Sequence, residues 1–81
     1  MVKVVRKKED GNVITYYYYL SEDEDTEDYG VISIDMITGE ISNVKAAPSD
    51  STFYSGGHAL HVIESFFEKK DFKEVEYEQW V

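Results

Sequence analysis

Residues 9–12 read EDGN, and they lie between VKVVRKK at 2–8 and VITYYYYL at 13–20. Asp10-Gly11 is a two-residue hairpin signal, because glycine enters the left-handed region at no steric cost. The flanking runs are rich in β-branched and aromatic residues. The first twenty residues therefore predict an antiparallel hairpin, and whatever the chain folds into must grow from it.

Two more strands follow. YGVISID at 29–35 and EISNVKA at 40–46 are joined by DMITGE, with Gly39 placed for a tight turn. Residues 55–71, SGGHALHVIESFFEKKD, carry the helical period. Ala59, Leu60, Val62, Ile63, Phe66 and Phe67 fall on one side, and His61, Glu64, Ser65 and Glu68 on the other. Ser55 is the expected N-cap, and Lys69 and Lys70 suit the negative end of the helix dipole. KEVEYEQWV at 73–81 alternates and predicts a fifth strand.

Short connections make the first four strands an up-and-down meander. A helix then returns the chain so that the fifth strand pairs with the first. The expected fold is α+β: a single domain over 1–81, with a five-stranded mostly antiparallel sheet, strand order 5-1-2-3-4, and one helix on one face. Eighty-one residues leave room for one core, and 42% apolar content with 15% aromatics suffices for a sheet against a helix.

Pairing Glu9 with Asn12 sets Val4 opposite Tyr17 and Val2 opposite Tyr19. Tyr17 and Tyr19 are then expected in the core with Ile32, Ile34 and Ile41. The open face is expected to carry Val5, Ile14, Tyr16, Tyr18, Val31 and Val44. Glu74, Glu76 and Glu78 are expected on that same open side, opposite Lys3 and Lys7, leaving Val75 and Tyr77 for the helix. A one-residue slip would invert such an assignment.

The formal net charge of −9 argues against direct nucleic-acid or anionic-membrane binding. No stretch approaches the length of a membrane span, and the first residues show no apolar run of signal-peptide length. The chain has no cysteine, which excludes thiolate chemistry and favours a cytoplasmic setting. Residues 22–28 hold six acids and no base. Glu22, Asp23, Glu24, Asp25, Glu27 and Asp28 read as a solvated loop, since the calcium-loop pattern lacks its sixth-position glycine and twelfth-position glutamate.

His58 and His61 share an H-x-x-H spacing, but two ligands do not make a zinc site. Gly56-Gly57 could offer amides to an anion. No nucleophile has an evident base and orienting acid, and no carboxylate has a burying environment. The expectation is a non-catalytic protein-interaction module without cofactor or metal. Its contact residues would be Val5, Ile14, Tyr16, Tyr18 and Val31 on the open face, and the acids of 22–28. The partner would be a protein with a basic patch, or a second copy through the open face. The alternative is an acidic inhibitor that imitates nucleic acid in a basic groove, with the Glu74-Glu76-Glu78 ladder standing in for phosphates.

Overall fold

The computed structural model describes residues 1–80; the last residue of the expected fifth strand lies outside them. The chain runs β1 (Val2–Asp10), β2 (Val13–Tyr19), β3 (Gly30–Asp35), β4 (Ile41–Lys45), α1 (Tyr54–Lys69) and β5 (Val75–Glu78). The strands form one antiparallel sheet in the order β4-β3-β2-β1-β5. This is the expected α+β fold, and α1 lies across one face of the sheet.

The hairpin differs from expectation in two ways. Its turn is Gly11-Asn12, closed by Asp10 opposite Val13, with Gly11 at φ 61°. That displacement moves one residue on each strand, so by itself it would still set Val4 against an odd-numbered tyrosine. A β-bulge between Arg6 and Lys8 changes the parity. Val4 now faces Tyr18 and Arg6 faces Tyr16.

The assignment of Tyr16, Tyr18 and Ile14 to the open face is therefore corrected. They are 1%, 1% and 0% exposed, in the core beneath the helix with Val2, Val4, Ile32, Ile34, Ala59, Ile63 and Phe66. Ile14 decides the matter. It lies directly opposite Ile34, and Tyr16 opposite Ile32, so the isoleucines of β3 and β2 must share a face. Tyr17 and Tyr19, expected inside, stand on the open face. Both buried phenols are satisfied: Tyr16 donates to the Lys73 carbonyl at 2.9 Å, and Tyr18 donates to Asp50 Oδ2 at 2.7 Å. The Tyr18 ring also covers Gly30, its cross-strand neighbour, so closely that a Cβ there would overlap it.

β5 is corrected in the same sense. Val4 pairs with Glu76 and Lys3 with Tyr77, so Glu76 and Glu78 lie on the helix side. Val75 and Tyr77 lie on the open side, 43% and 47% exposed. Phe72 and Trp80, just outside the strand, share the parity of the glutamates and pack against the core. These two rings outweigh Val75 and Tyr77, while Glu76 and Glu78 stay partly exposed and Glu78 reaches His58 of α1.

α1 buries Ala59, Val62, Ile63 and Phe66 as its spacing predicts. Its start is not capped by Ser55. Phe53 occupies the N-cap position at φ 58° without a side-chain bond. The carboxylate of Asp50 reaches in instead, accepting from Ser55 N at 3.1 Å and Gly56 N at 2.8 Å. Asp50 is 5% exposed, and with the Tyr18 hydroxyl it links the core of the sheet to the first turn of the helix. Ala47 N donates back to Tyr18 Oη at 2.9 Å. On the other side of the fold, Asp35 Oδ1 accepts from Ile37 N and Thr38 N, and Gly39 closes the β3–β4 turn at φ 78°.

Candidate functional site

The open face of the sheet is built by parity. Lys3, Val5 and Lys7 of β1, Tyr17 and Tyr19 of β2, Val31 of β3, and Val75 and Tyr77 of β5 point away from α1. Tyr29, just before β3, joins them. Its ring stacks on Tyr17 at 4.2 Å and 14°, and leans on Tyr19 at 6.2 Å. Four tyrosines thus line this face, none of them the pair expected from alternation with a straight hairpin. Val5 and Val31 do stand there as expected, although Val5 is only 8% exposed.

Lysines cover the rings. Lys3 Nζ lies 5.6 Å from the Tyr77 centroid, and Lys7 Nζ lies 5.7 Å from that of Tyr17 and 6.0 Å from that of Tyr19. Both ammonium groups then meet the acidic loop. Glu24 Oε2 is 3.0 Å from Lys3 Nζ, and Glu24 Oε1 is 3.3 Å from Lys7 Nζ. Lys3 also donates to the Glu22 carbonyl at 3.1 Å. The hydrogen bonds from Lys3 and Lys7 hold the Glu24 carboxyl below its ordinary range, and Glu24 raises Lys3 in return. At Lys7 desolvation is the largest single influence and opposes the rise, but the Glu24 bond, the Glu24 charge and Tyr19 together outweigh it.

The loop's far end is fastened separately. Asp28 accepts from the Ser49 hydroxyl at 2.6 Å and the Ser49 amide at 3.1 Å, which lowers its pKa. Along the loop, Ser21 Oγ accepts from Asp23 N before the first clamp, and Asp25 Oδ1 accepts from Glu27 N between the two. The block 21–28 is therefore a folded loop of turns rather than a loose one. The carboxylates of Glu22, Asp23, Asp25 and Glu27 make no ion pair among the described residues. Glu22 and Asp23 flank a hollow of about 450 Å³ shared with Met1, Leu20, Ser21 and Gln79.

Each glutamate of the β5 ladder is engaged by a neighbouring side chain. Glu74 pairs with Arg6 at 3.1 Å, Glu76 with Lys73 at 3.4 Å, and Glu78 with His58 Nδ1 at 3.0 Å. The amides of Gly56 and Gly57 are not free for an anion either, because Asp50 takes the first and the Phe53 carbonyl the second.

A second constellation escaped the sequence reading. His58 stacks flat on Trp80 at 4.0 Å and 8°, and Tyr54 meets both rings edge-on. Tyr54 and His58 are one helical turn apart, a spacing that signals a shared face. Nothing in the sequence placed Trp80 against them. Among the described residues, no group of three or more His, Asp or Glu is gathered to hold a metal ion, and no helix is long and apolar enough to cross a membrane.

No family model, curated protein or solved structure matches the chain. The fold and its geometry alone carry the functional reading.

Proposed function

We propose that the protein is a non-catalytic interaction module that binds a protein partner bearing a basic patch, in a cytoplasmic setting. The observation that supports it is the Glu24 tether. By bridging Lys3 and Lys7, Glu24 holds the acidic loop against the tyrosine face. The two contact surfaces become one, with Glu22, Asp23, Asp25 and Glu27 presented beside the half-buried Tyr17 and Tyr29, under which Tyr19 is buried. Loop charge would speed encounter with a basic surface, while aromatic rings supply contact area at low entropic cost.

The opposite sign of charge on the partner follows from the loop. A second copy would bring like-charged loops together, so a homodimer is the less favoured occupant. The nucleic-acid-mimic alternative loses its ladder to Arg6, Lys73 and His58 and would rest on the loop alone.

Titration of the ¹⁵N-labelled protein with a lysine- and arginine-rich peptide tests this. Saturable shifts should concentrate at residues 21–29, Tyr17 and Tyr19, weaken with added salt, and diminish when Glu22, Asp23, Asp25 and Glu27 are neutralised together. Undiminished binding by that neutralised variant would refute the reading. A loss of affinity with Tyr17→Ser would separate this surface from a purely electrostatic mimic, which that change would leave intact.

A further inference from the structure

We infer that the hollow between the first turns of α1 and the end of β5 is a receptor for an arginine side chain of another polypeptide. It is a bowl of about 620 Å³, open to solvent, lined by Phe53, Tyr54, Gly57, His58, His61 and Glu78. It lies on the helix side of the sheet and shares no residue with the tyrosine face, so it stands or falls independently of the function proposed above.

The ligand's charge follows from what is already used. A helix start ordinarily attracts anions, but here Asp50 takes the amides of Ser55 and Gly56, and Phe53 O takes that of Gly57. The one carboxylate in the lining is Glu78. Its Oε2 is held by His58 Nδ1 at 3.0 Å, while its Oε1 has no partner among the described residues. The bowl therefore offers an anion no free backbone donor and retains one acceptor for a donor cation.

The ligand's shape follows from the rings. His58 is braced from behind by Trp80, and Tyr54, 60% exposed, stands edge-on to both. Flat π surfaces beside a single carboxylate oxygen suit a planar guanidinium, which stacks and donates at once, better than a compact ammonium. The lining holds no second carboxylate and no lysine or arginine to grip the backbone charges of a free amino acid, so the guanidinium arrives on a peptide.

Gly57 is the independent sign that the space is kept open. Glycine inside a helix weakens it. Gly56 has a packing reason, because the Phe53 ring covers it; a Cβ on Gly57 would meet nothing within 4 Å. The helix forgoes a side chain there, and the vacant position is the floor of the bowl.

The test uses the single tryptophan and the Gly57 amide as reporters, with acetyl-Gly-Arg-Gly-amide, its citrulline counterpart and free L-arginine as probes. The arginine peptide should give a saturable change in Trp80 emission and in the Gly57 shift at millimolar concentration. Glu78→Gln should weaken binding about tenfold, equivalent to roughly 1.4 kcal/mol. Gly57→Leu, which favours the helix while filling the bowl, should abolish binding and leave the melting transition intact. Citrulline binding as well as arginine, free arginine binding more tightly than the peptide, undiminished binding by Gly57→Leu, or no saturable response would each overturn the inference.

Discussion

Asp50→Ala should be the most damaging single change away from the apolar core. The Asp50 carboxylate collects Tyr18 Oη at 2.7 Å, Gly56 N at 2.8 Å and Ser55 N at 3.1 Å while 5% exposed. Truncation orphans two buried helix amides, each worth about 1–3 kcal/mol when unpaired, and removes the side-chain cap that Asp50 gives α1. Some water will enter, so the expected loss is about 3–4 kcal/mol, against a total near 4–12 kcal/mol for a chain of this length. Tyr18→Phe is the milder arm. It deletes one charge-assisted bond and leaves Ala47 N without its acceptor, at about 1–2 kcal/mol. Because both changes break the same bond, the double variant should lose less than the sum, with a coupling of about 1–2 kcal/mol. Urea unfolding of the four proteins, followed by circular dichroism, measures all three quantities. If Asp50→Ala costs under about 1 kcal/mol, or the two changes add within about 0.5 kcal/mol, the network is not what joins helix to sheet.

Three further outcomes are expected. Gly30→Ala should destabilise by about 1–3 kcal/mol, since its Cβ must displace the Tyr18 ring from the core; thermal melting reads this. Burial, partly offset by Arg6, pushes Tyr16 up to about 12 from 10.0, and burial raises Tyr18 as well. Because the folded values lie above the unfolded one, this stability is whole below pH 10 and drains as pH rises toward the folded values, by up to about 3 kcal/mol for Tyr16 alone; absorbance titration should show the two phenols ionising only with alkaline unfolding. Glu24 and Asp28 behave oppositely, their folded values lying below the ordinary 4.5 and 3.8. Their contribution is present above those values and is lost as pH falls through the folded ones, so carboxyl ¹³C titration should place both midpoints low and show the loop's amide shifts changing with them.

The strand order, the meander and the helix's buried stripe were legible because each follows from local period and short connections. The faces of β2 and β5 were not. For β2 the turn signal was sound, but a bulge has no fixed residue signature, and Ile14 had to be matched to Ile34 across β3 before its side could be known. For β5 the alternating glutamates looked like a solvent face; Phe72 and Trp80, of the same parity but outside the strand, turned that face toward the helix. The loop acids were placed correctly as a loop, yet only the fold brings Glu24 to Lys3 and Lys7, more than fifteen residues away. The cap from Asp50 was invisible for a similar reason: it lies five residues before the amide it serves.

The bulge at Lys7 also sets the chain's tolerance for changes of length. Removing a residue from a paired strand ordinarily turns every later side chain to the wrong side. Here Arg6 faces Tyr16 and Lys8 faces Thr15, so losing Lys7 leaves each of these partnerships as it is. Losing Val5 or Arg6 instead could be absorbed by drawing Lys7 into line. One residue of slack is stored in β1, and a relative shorter by one at this place would keep the same tyrosines inside.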